Sequence, residues 1–161
     1  MIVELSCSYR AEFRFANLLA NMPISRKCVP FTPFDRELSK STIAIVTAGG
    51  VHLQDQEPFN IADELGDLGY REIPADVDSS RLMVTHHHYD HRDADEDINV
   101  VFPIDVLRDL EGEGIIGGIA RKHIGYGYTQ QLKAMYEGTA REIANEIDRG
   151  SRADVVILTG G

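Results

Sequence analysis

The chain has 161 residues, of which 43% are hydrophobic and 26% are charged, and its formal net charge is −10 at pH 7. These values are typical of one globular domain with a single core. The negative charge argues against binding to nucleic acid or to an anionic membrane surface, because both present negative phosphates.

Residues 1–41 are predicted to form a separate N-terminal segment. Apolar residues at helical spacing predict a helix over residues 8–20, and Pro23 then ends it. Pro30 and Pro33 favour an extended chain after that helix, because proline restricts the backbone of the residue before it.

The cysteine count and the amino terminus indicate the compartment. Cys7 and Cys28 are too few for a disulfide framework. The opening sequence MIVELSCSYRAEFRF carries charges throughout, unlike a secretion signal or a membrane span. We therefore expect a cytoplasmic protein with reduced thiols.

Residues 42–161 alternate between strand and helix patterns. Apolar runs such as TIAIVT and DVVILT are typical of strands that are buried on both faces. This alternation predicts an α/β domain with an open, mostly parallel sheet and helices on both faces, layered as in Rossmann and flavodoxin-like folds. The predicted strands cover residues 42–50, 70–74, 81–86, 116–124 and 153–161.

Two helices are predicted within this domain. The first covers residues 101–114, with Pro103 in its first turn. The second begins at a Thr129 cap and ends before Gly150. Its predicted buried stripe consists of Leu132, Tyr136, Ala140, Ile143 and Ile147.

Polar and glycine-rich groups follow three of the predicted strands. These groups are Gly49-Gly50 with His52, the loop from His86 to His91, and Thr159-Gly160-Gly161. The carboxyl ends of parallel strands meet at one edge of a sheet, where ligands bind in open α/β folds. We therefore expect the three groups to lie together.

The sequence THHHYDH contains the pattern His-x-His-x-Asp-His, formed by His86, His88, Asp90 and His91. This pattern resembles the metal-binding loop of the metallo-β-lactamase superfamily, and its side chains suit zinc or iron. That superfamily needs further ligands downstream, where His123 is the one remaining histidine. A metal-dependent hydrolase is therefore an alternative interpretation, and we expect no metal site.

A second resemblance covers most of residues 42–161. The ordered strings IAIVTAGGVHL, PFNIADELGDLGYREIP, THHHYDH, DINVVFPIDVLRDLEGEGIIG, HIGYGY, YEGTAREIANEI and ADVVILTGG resemble the selenoprotein B family of the D-proline reductase and glycine/sarcosine/betaine reductase systems. Among these systems, the selenium-bearing subunit of D-proline reductase is the most similar. His87 and His88 depart from the small residues that family members often have there.

The resemblance also implies where the nucleophile belongs. In the family, the last of these strands runs through a Thr-x-Gly turn into selenocysteine or cysteine. Here Thr159, Gly160 and Gly161 form that turn, so residue 162 would be the nucleophile. We expect that the reading frame is cut at a UGA codon and that this chain is inactive alone. A natural short paralogue that binds a partner without catalysis is a further alternative.

The reaction that the resemblance implies is reductive cleavage of a carbon–nitrogen bond next to a carboxylate. The substrate would be a small amino acid or amine, and a dithiol would be the reductant. The resemblance implies no cofactor in this chain and a pyruvoyl group on a partner subunit. We also expect a homo-oligomer, because the last strand would leave an open sheet edge.

Candidate site residues follow from the strand ends and the resemblance together. His86, Asp90 and His123 are the predicted catalytic residues, since each could protonate the leaving amine. The predicted substrate-binding residues are Tyr89, Asn99, Thr159, Gly160 and Gly161.

Overall fold

The computed structural model describes residues 33–161, so the predicted helix at 8–20 and both cysteines lie outside the described residues. Glu37 to Gly161 form one compact unit. The domain boundary predicted at residue 41 stays a prediction. In the described range, no helix combines the length and the apolar character that crossing a membrane requires.

Short strands and helices alternate along the described residues. The strands are β1 (Thr42–Thr47), β2 (Val51–Leu53), β3 (Tyr70–Pro74), β4 (Leu82–Val84), β5 (Gly118–Ile119), β6 (Lys122–Tyr126) and β7 (Val155–Thr159). The α-helices are α1 (Arg92–Glu96), α2 (Ile104–Gly112), α3 (Leu132–Ala134) and α4 (Ala140–Asn145). Leu38–Lys40, Ser79–Arg81 and Ile98–Val100 are 3-10 turns, and Met135–Thr139 and Glu146–Ser151 are π-helical.

Strand β1 is the centre of a five-stranded sheet. One side of β1 pairs in parallel with β7, and the other side pairs in parallel with β5 and then β6. Strand β3 pairs with β6 in the antiparallel direction. The predicted α/β class with an open, mostly parallel sheet is therefore confirmed.

Helices cover both faces of the sheet, as predicted. Successive side chains of β1 point to opposite faces, because strand side chains alternate. Ile45 belongs to one buried cluster with Leu107 of α2. Val46 belongs to a second buried cluster with Ile143 and Ile147 from the last helical segment. Burial on both faces explains why the β1 sequence is continuously apolar.

The strand predicted over residues 81–86 is the first departure from expectation. Strand β4 has three residues and pairs with β2 in a separate antiparallel sheet. Strand β2 crosses close over β6, since a Cβ at Gly125 would collide with the Val51 carbonyl oxygen. The chain after Gly50 therefore leaves the main sheet, and β4 follows it.

The last strand is less buried than its sequence predicts. Ala44 and Val46 of β1 lie opposite Val156 and Leu158 of β7, so these four side chains share a face. Leu158 is nevertheless 76% exposed, because the helical segment that covers β1 and β6 does not reach β7. Within residues 33–161, β7 is an edge strand with one apolar face open.

The last helix also differs from its predicted pattern. Ile143 and Ile147 are buried as predicted, but Tyr136 is 59% exposed. Two π-helical stretches interrupt the α-helical period, so a stripe drawn at 3.6 residues per turn drifts off the buried face. Thr129 accepts a hydrogen bond from the Gln131 amide and thus caps the turn before the helix.

The strand predicted at 116–124 is divided at Ala120 and Arg121 into β5 and β6, and His123 is the second residue of β6. Its side chain is fully buried, and its Nδ1 accepts a hydrogen bond from the Ile45 amide at 2.9 Å. The imidazole nitrogen therefore takes the place of a backbone carbonyl as the acceptor for the Ile45 amide of β1. Burial, followed by the charge of Arg108, lowers the pKa of His123 to about 4.

We predict that His123 makes the fold acid-sensitive. The folded chain keeps this imidazole neutral down to pH about 4, whereas the unfolded chain protonates it below its ordinary pKa of 6.5. Its contribution is complete above pH 6.5 and is lost as the pH falls towards 4. Urea unfolding should show a loss of about 2 kcal/mol from this group between pH 7.5 and pH 5. His123→Leu should remove that part of the pH dependence, and equal slopes in both proteins would contradict the prediction.

Candidate active site at the carboxyl end of the sheet

The loop after β4 returns to the carboxyl end of the main sheet through Tyr89. The Tyr89 hydroxyl donates a hydrogen bond to the Gly49 carbonyl oxygen, at 2.8 Å, just after β1. The same ring lies against Gly161 just after β7, where a Cβ atom would collide with it. Tyr89 therefore connects the histidine loop to the residues that follow β1 and β7. The sequence predicts that these three groups lie together.

His86 packs on the other side of this tyrosine. Its ring centroid lies 4.7 Å from that of Tyr89, and its Nδ1 accepts a hydrogen bond from the His88 amide at 3.1 Å. Burial, followed by the neighbouring His88, His87 and His91, lowers the pKa of His86. In the neutral ring Nδ1 is the acceptor, so Nε2 carries the proton and is available as a donor.

A shallow cleft lies beside His86, and the space of about 210 Å³ between its walls includes open solvent. Its walls combine aromatic rings with a carboxylate and two imidazoles. The lining residues are Phe59, Asn60, Ile61, Gly66, Asp67, Thr85, His86, His87 and Tyr128. Such a mixture of apolar walls and a few polar groups is typical of small-molecule sites.

Tyr128 also holds the tip of the histidine loop. The His88 ring stacks on it, with 3.4 Å between centroids and 20° between planes. His88 is exposed on its other side, so this stack forms the rim of the cleft. The two histidines that depart from the family pattern, His87 and His88, therefore belong to the wall and the rim.

The four residues of the His-x-His-x-Asp-His pattern do not converge. His91 Nδ1 pairs with Asp95 at 2.8 Å, and Asp90 pairs with Arg92, whose Nε lies 2.9 Å from the carboxylate. Hydrogen bonds from Arg92 lower the pKa of Asp90. Between residues 33 and 161, no three histidine, cysteine or acidic side chains are grouped so as to hold a metal ion. The geometry gives the metal-hydrolase interpretation no support there.

Three other predicted site residues have structural partners. Thr159 donates a hydrogen bond to the Val101 carbonyl oxygen at 2.6 Å. Asn99 accepts one from the Asp105 amide at 3.0 Å and so fixes the start of α2. His123 is enclosed in the core, as described above. The structure thus brings His86, Tyr89 and Gly161 together, with Gly160 exposed beside them, and leaves Asn99 and His123 away from the cleft.

Sequence reasoning missed the far wall of the cleft. Phe59, Asn60 and Asp67 come from the segment after β2, and Tyr128 follows β6. The Asp67 side chain accepts hydrogen bonds from the amides of Asn60 and Gly69, which folds this segment against the cleft. The strings PFN and GYGY were signals, since each combines an aromatic residue with a turn residue, and GYGY runs from the end of β6 into the loop after it.

Comparisons with known proteins identify the family of the chain. A model of the glycine/sarcosine/betaine reductase selenoprotein B family matches residues 12–161. D-proline reductase subunit gamma of Acetoanaerobium sticklandii is 41% identical over 132 residues, which are 81% of this chain and 53% of that protein. No solved structure matches the chain.

Two further relatives come from related reductase complexes. Glycine reductase complex component B subunit gamma of Carboxydothermus hydrogenoformans is 35% identical over 156 residues, covering 92% of this chain and 35% of that protein. Sarcosine reductase complex component B subunit beta of Peptoclostridium acidaminophilum is 34% identical over 143 residues, covering 87% and 33%. The chain thus spans between one third and about half of the length of these relatives. The family match and these identities show that the chain belongs to the glycine/sarcosine/betaine reductase selenoprotein B family.

Proposed function

We propose that this chain is part of an amino-acid reductase subunit whose nucleophile, a selenol or a thiol, follows Gly161. The contact of Gly161 with the Tyr89 ring is the observation that carries the proposal. A residue joined to Gly161 would begin beside Tyr89, whose ring packs against His86 in the wall of the cleft. The relatives are subunits of D-proline, glycine and sarcosine reductase complexes.

The proposed reaction breaks the carbon–nitrogen bond next to the substrate carboxylate. A pyruvoyl group on a partner subunit supplies the electron sink for an amine substrate. The selenolate or thiolate forms a bond to the α carbon as the bond to nitrogen breaks, and the nitrogen takes up a proton. A dithiol then reduces the selenium– or sulfur–carbon product, so two electrons pass from the dithiol to carbon.

In this scheme His86 is the hydrogen-bond donor to the substrate carboxylate or to the leaving nitrogen. Burial lowers the pKa of His86, which favours the neutral ring. Its Nδ1 accepts the hydrogen bond from the His88 amide, so its Nε2–H is available as a donor. A neutral N–H donor can bind a carboxylate or share its proton with a leaving amine. Asp90, which is exposed and paired with Arg92, lies further out and is better suited to steering a cationic group.

The nucleophile prediction is tested on the chain extended by the coding sequence that follows Gly161. With selenocysteine or cysteine at residue 162, the extended chain, the pyruvoyl-bearing subunit and a dithiol should cleave the bond between the α carbon and nitrogen of D-proline, which opens its ring, or of glycine, sarcosine or betaine, which releases the amine. Serine at that position should lower kcat at least about 100-fold, because a hydroxyl is far less nucleophilic at neutral pH. Equal turnover with serine would refute the role of residue 162.

A second prediction concerns the contact of Gly161 with Tyr89. Gly161→Ala should lower kcat about 100-fold in the same complex, because the added methyl group displaces the segment that carries the nucleophile. Gly138→Ala is the matched control, since a Cβ at Gly138 meets no atom within 4 Å. Thermal unfolding should be nearly unchanged in both variants. Full activity of Gly161→Ala would remove the observation on which the proposed site rests.

A third prediction concerns the proposed homo-oligomer. Strand β7 offers a free edge and an exposed Leu158, a combination that favours pairing with another chain. Sedimentation velocity should show association that rises with protein concentration. Leu158→Lys should shift the protein towards monomer, whereas the control Leu38→Lys, at a leucine that is 48% exposed elsewhere, should not. A wild-type protein that stays monomeric at every concentration would contradict this prediction.

A further inference from the structure

A buried histidine stands directly behind the cleft. His52 in β2 is fully buried, and its ring packs edge-on against Phe59, with 5.8 Å between centroids. Both ring nitrogens have partners: Nδ1 lies 2.8 Å from the Leu53 carbonyl oxygen, and Nε2 lies 2.7 Å from Thr85 Oγ1. Thr85 itself lines the cleft.

The two contacts of His52 fix the direction of the hydrogen bonds. A carbonyl oxygen can only accept, so Nδ1 must carry a proton and donate it to Leu53. In the neutral imidazole Nε2 then has no proton and must accept one. The Thr85 hydroxyl proton is therefore directed at His52, and the oxygen keeps its lone pairs for other partners.

We propose that His52 positions the Thr85 hydroxyl as a dedicated hydrogen-bond acceptor that selects ligands with an N–H donor in the cleft. The β2–β4 pairing supports this, because it holds His52 in β2 beside Thr85, which directly follows β4 and donates its amide to the Gly50 carbonyl oxygen at 2.9 Å. A hydroxyl that was free to rotate would donate to a carboxylate as readily as it accepted from an amine. Held by His52, it favours the amine end of an amino acid. This inference rests on the proposed function of the cleft.

Four ligands distinguish a specific role of Thr85 in binding N–H donors from a general effect of the substitution on the cleft. D-proline, glycine and sarcosine each carry N–H donors at neutral pH, whereas the quaternary nitrogen of betaine carries none. Thr85→Val removes the hydroxyl and keeps the shape of the side chain. It should raise the Kd of the three N–H ligands at least about tenfold and change the Kd of betaine less than about twofold.

Binding is measured by calorimetry and by ligand-observed NMR on the 161-residue chain. Thr85→Ser keeps the acceptor oxygen and should bind all four ligands nearly as the wild type does. Ser151→Ala is the control for losing a buried hydroxyl elsewhere, because Ser151 donates to the Lys122 carbonyl oxygen, away from the cleft. Its affinities should equal those of the wild type.

The orientation is tested separately by the nitrogen chemical shifts of His52, which should show a proton on Nδ1 and an unprotonated Nε2. The opposite tautomer would overturn the inference, and so would equal effects of Thr85→Val on all four ligands. A wild-type chain that binds none of them would overturn it as well. Turnover by the assembled wild-type complex decides the proposed function independently, so the two failures are distinguishable.

Discussion

The position of the candidate site depends on how the Tyr89 side chain is held. Its hydroxyl is bonded to Gly49 after β1, and its ring lies against Gly161 after β7. The loop from His86 to His91 follows β4, which belongs to a different sheet from β1 and β7. This tyrosine, together with the stack of His88 on Tyr128 after β6, holds the histidine loop over the strand ends. A side chain at Gly161 would collide with the Tyr89 ring, and one at Gly49 would be crowded by the Tyr89 hydroxyl.

The sequence predicted the convergence but not its cause. Three groups that follow strands were expected at one edge, and His86, Gly49 and Gly161 do lie around one ring. The expectation assumed that the strand before His86 belonged to the main sheet. That strand pairs with β2 instead, because the chain turns out of the main sheet at Gly50. Apolar content reveals that a strand is buried, and its partner is decided by tertiary packing.

The remaining errors share one physical origin, which is that local patterns do not report what covers a surface. DVVILT has the composition of a doubly buried strand, yet Leu158 is exposed because the last helical segment lies over β1 and β6. Tyr136 fitted an α-helical stripe and is displaced by π-helical turns. The far wall of the cleft, with Phe59 and Tyr128, required two segments distant in sequence to meet.

The histidines show why residue type alone could not assign the roles. His123, predicted to be catalytic, is held in the core by one backbone amide, and burial keeps it neutral. His52 is equally buried, but both of its nitrogens are bonded, and one of those bonds ends on a cleft residue. His86 is only partly buried and has one nitrogen available at the cleft. What separates a structural imidazole from a candidate functional one here is the partner of its second nitrogen. That partner depends on strand pairing, so a pattern of histidines in the sequence cannot supply it.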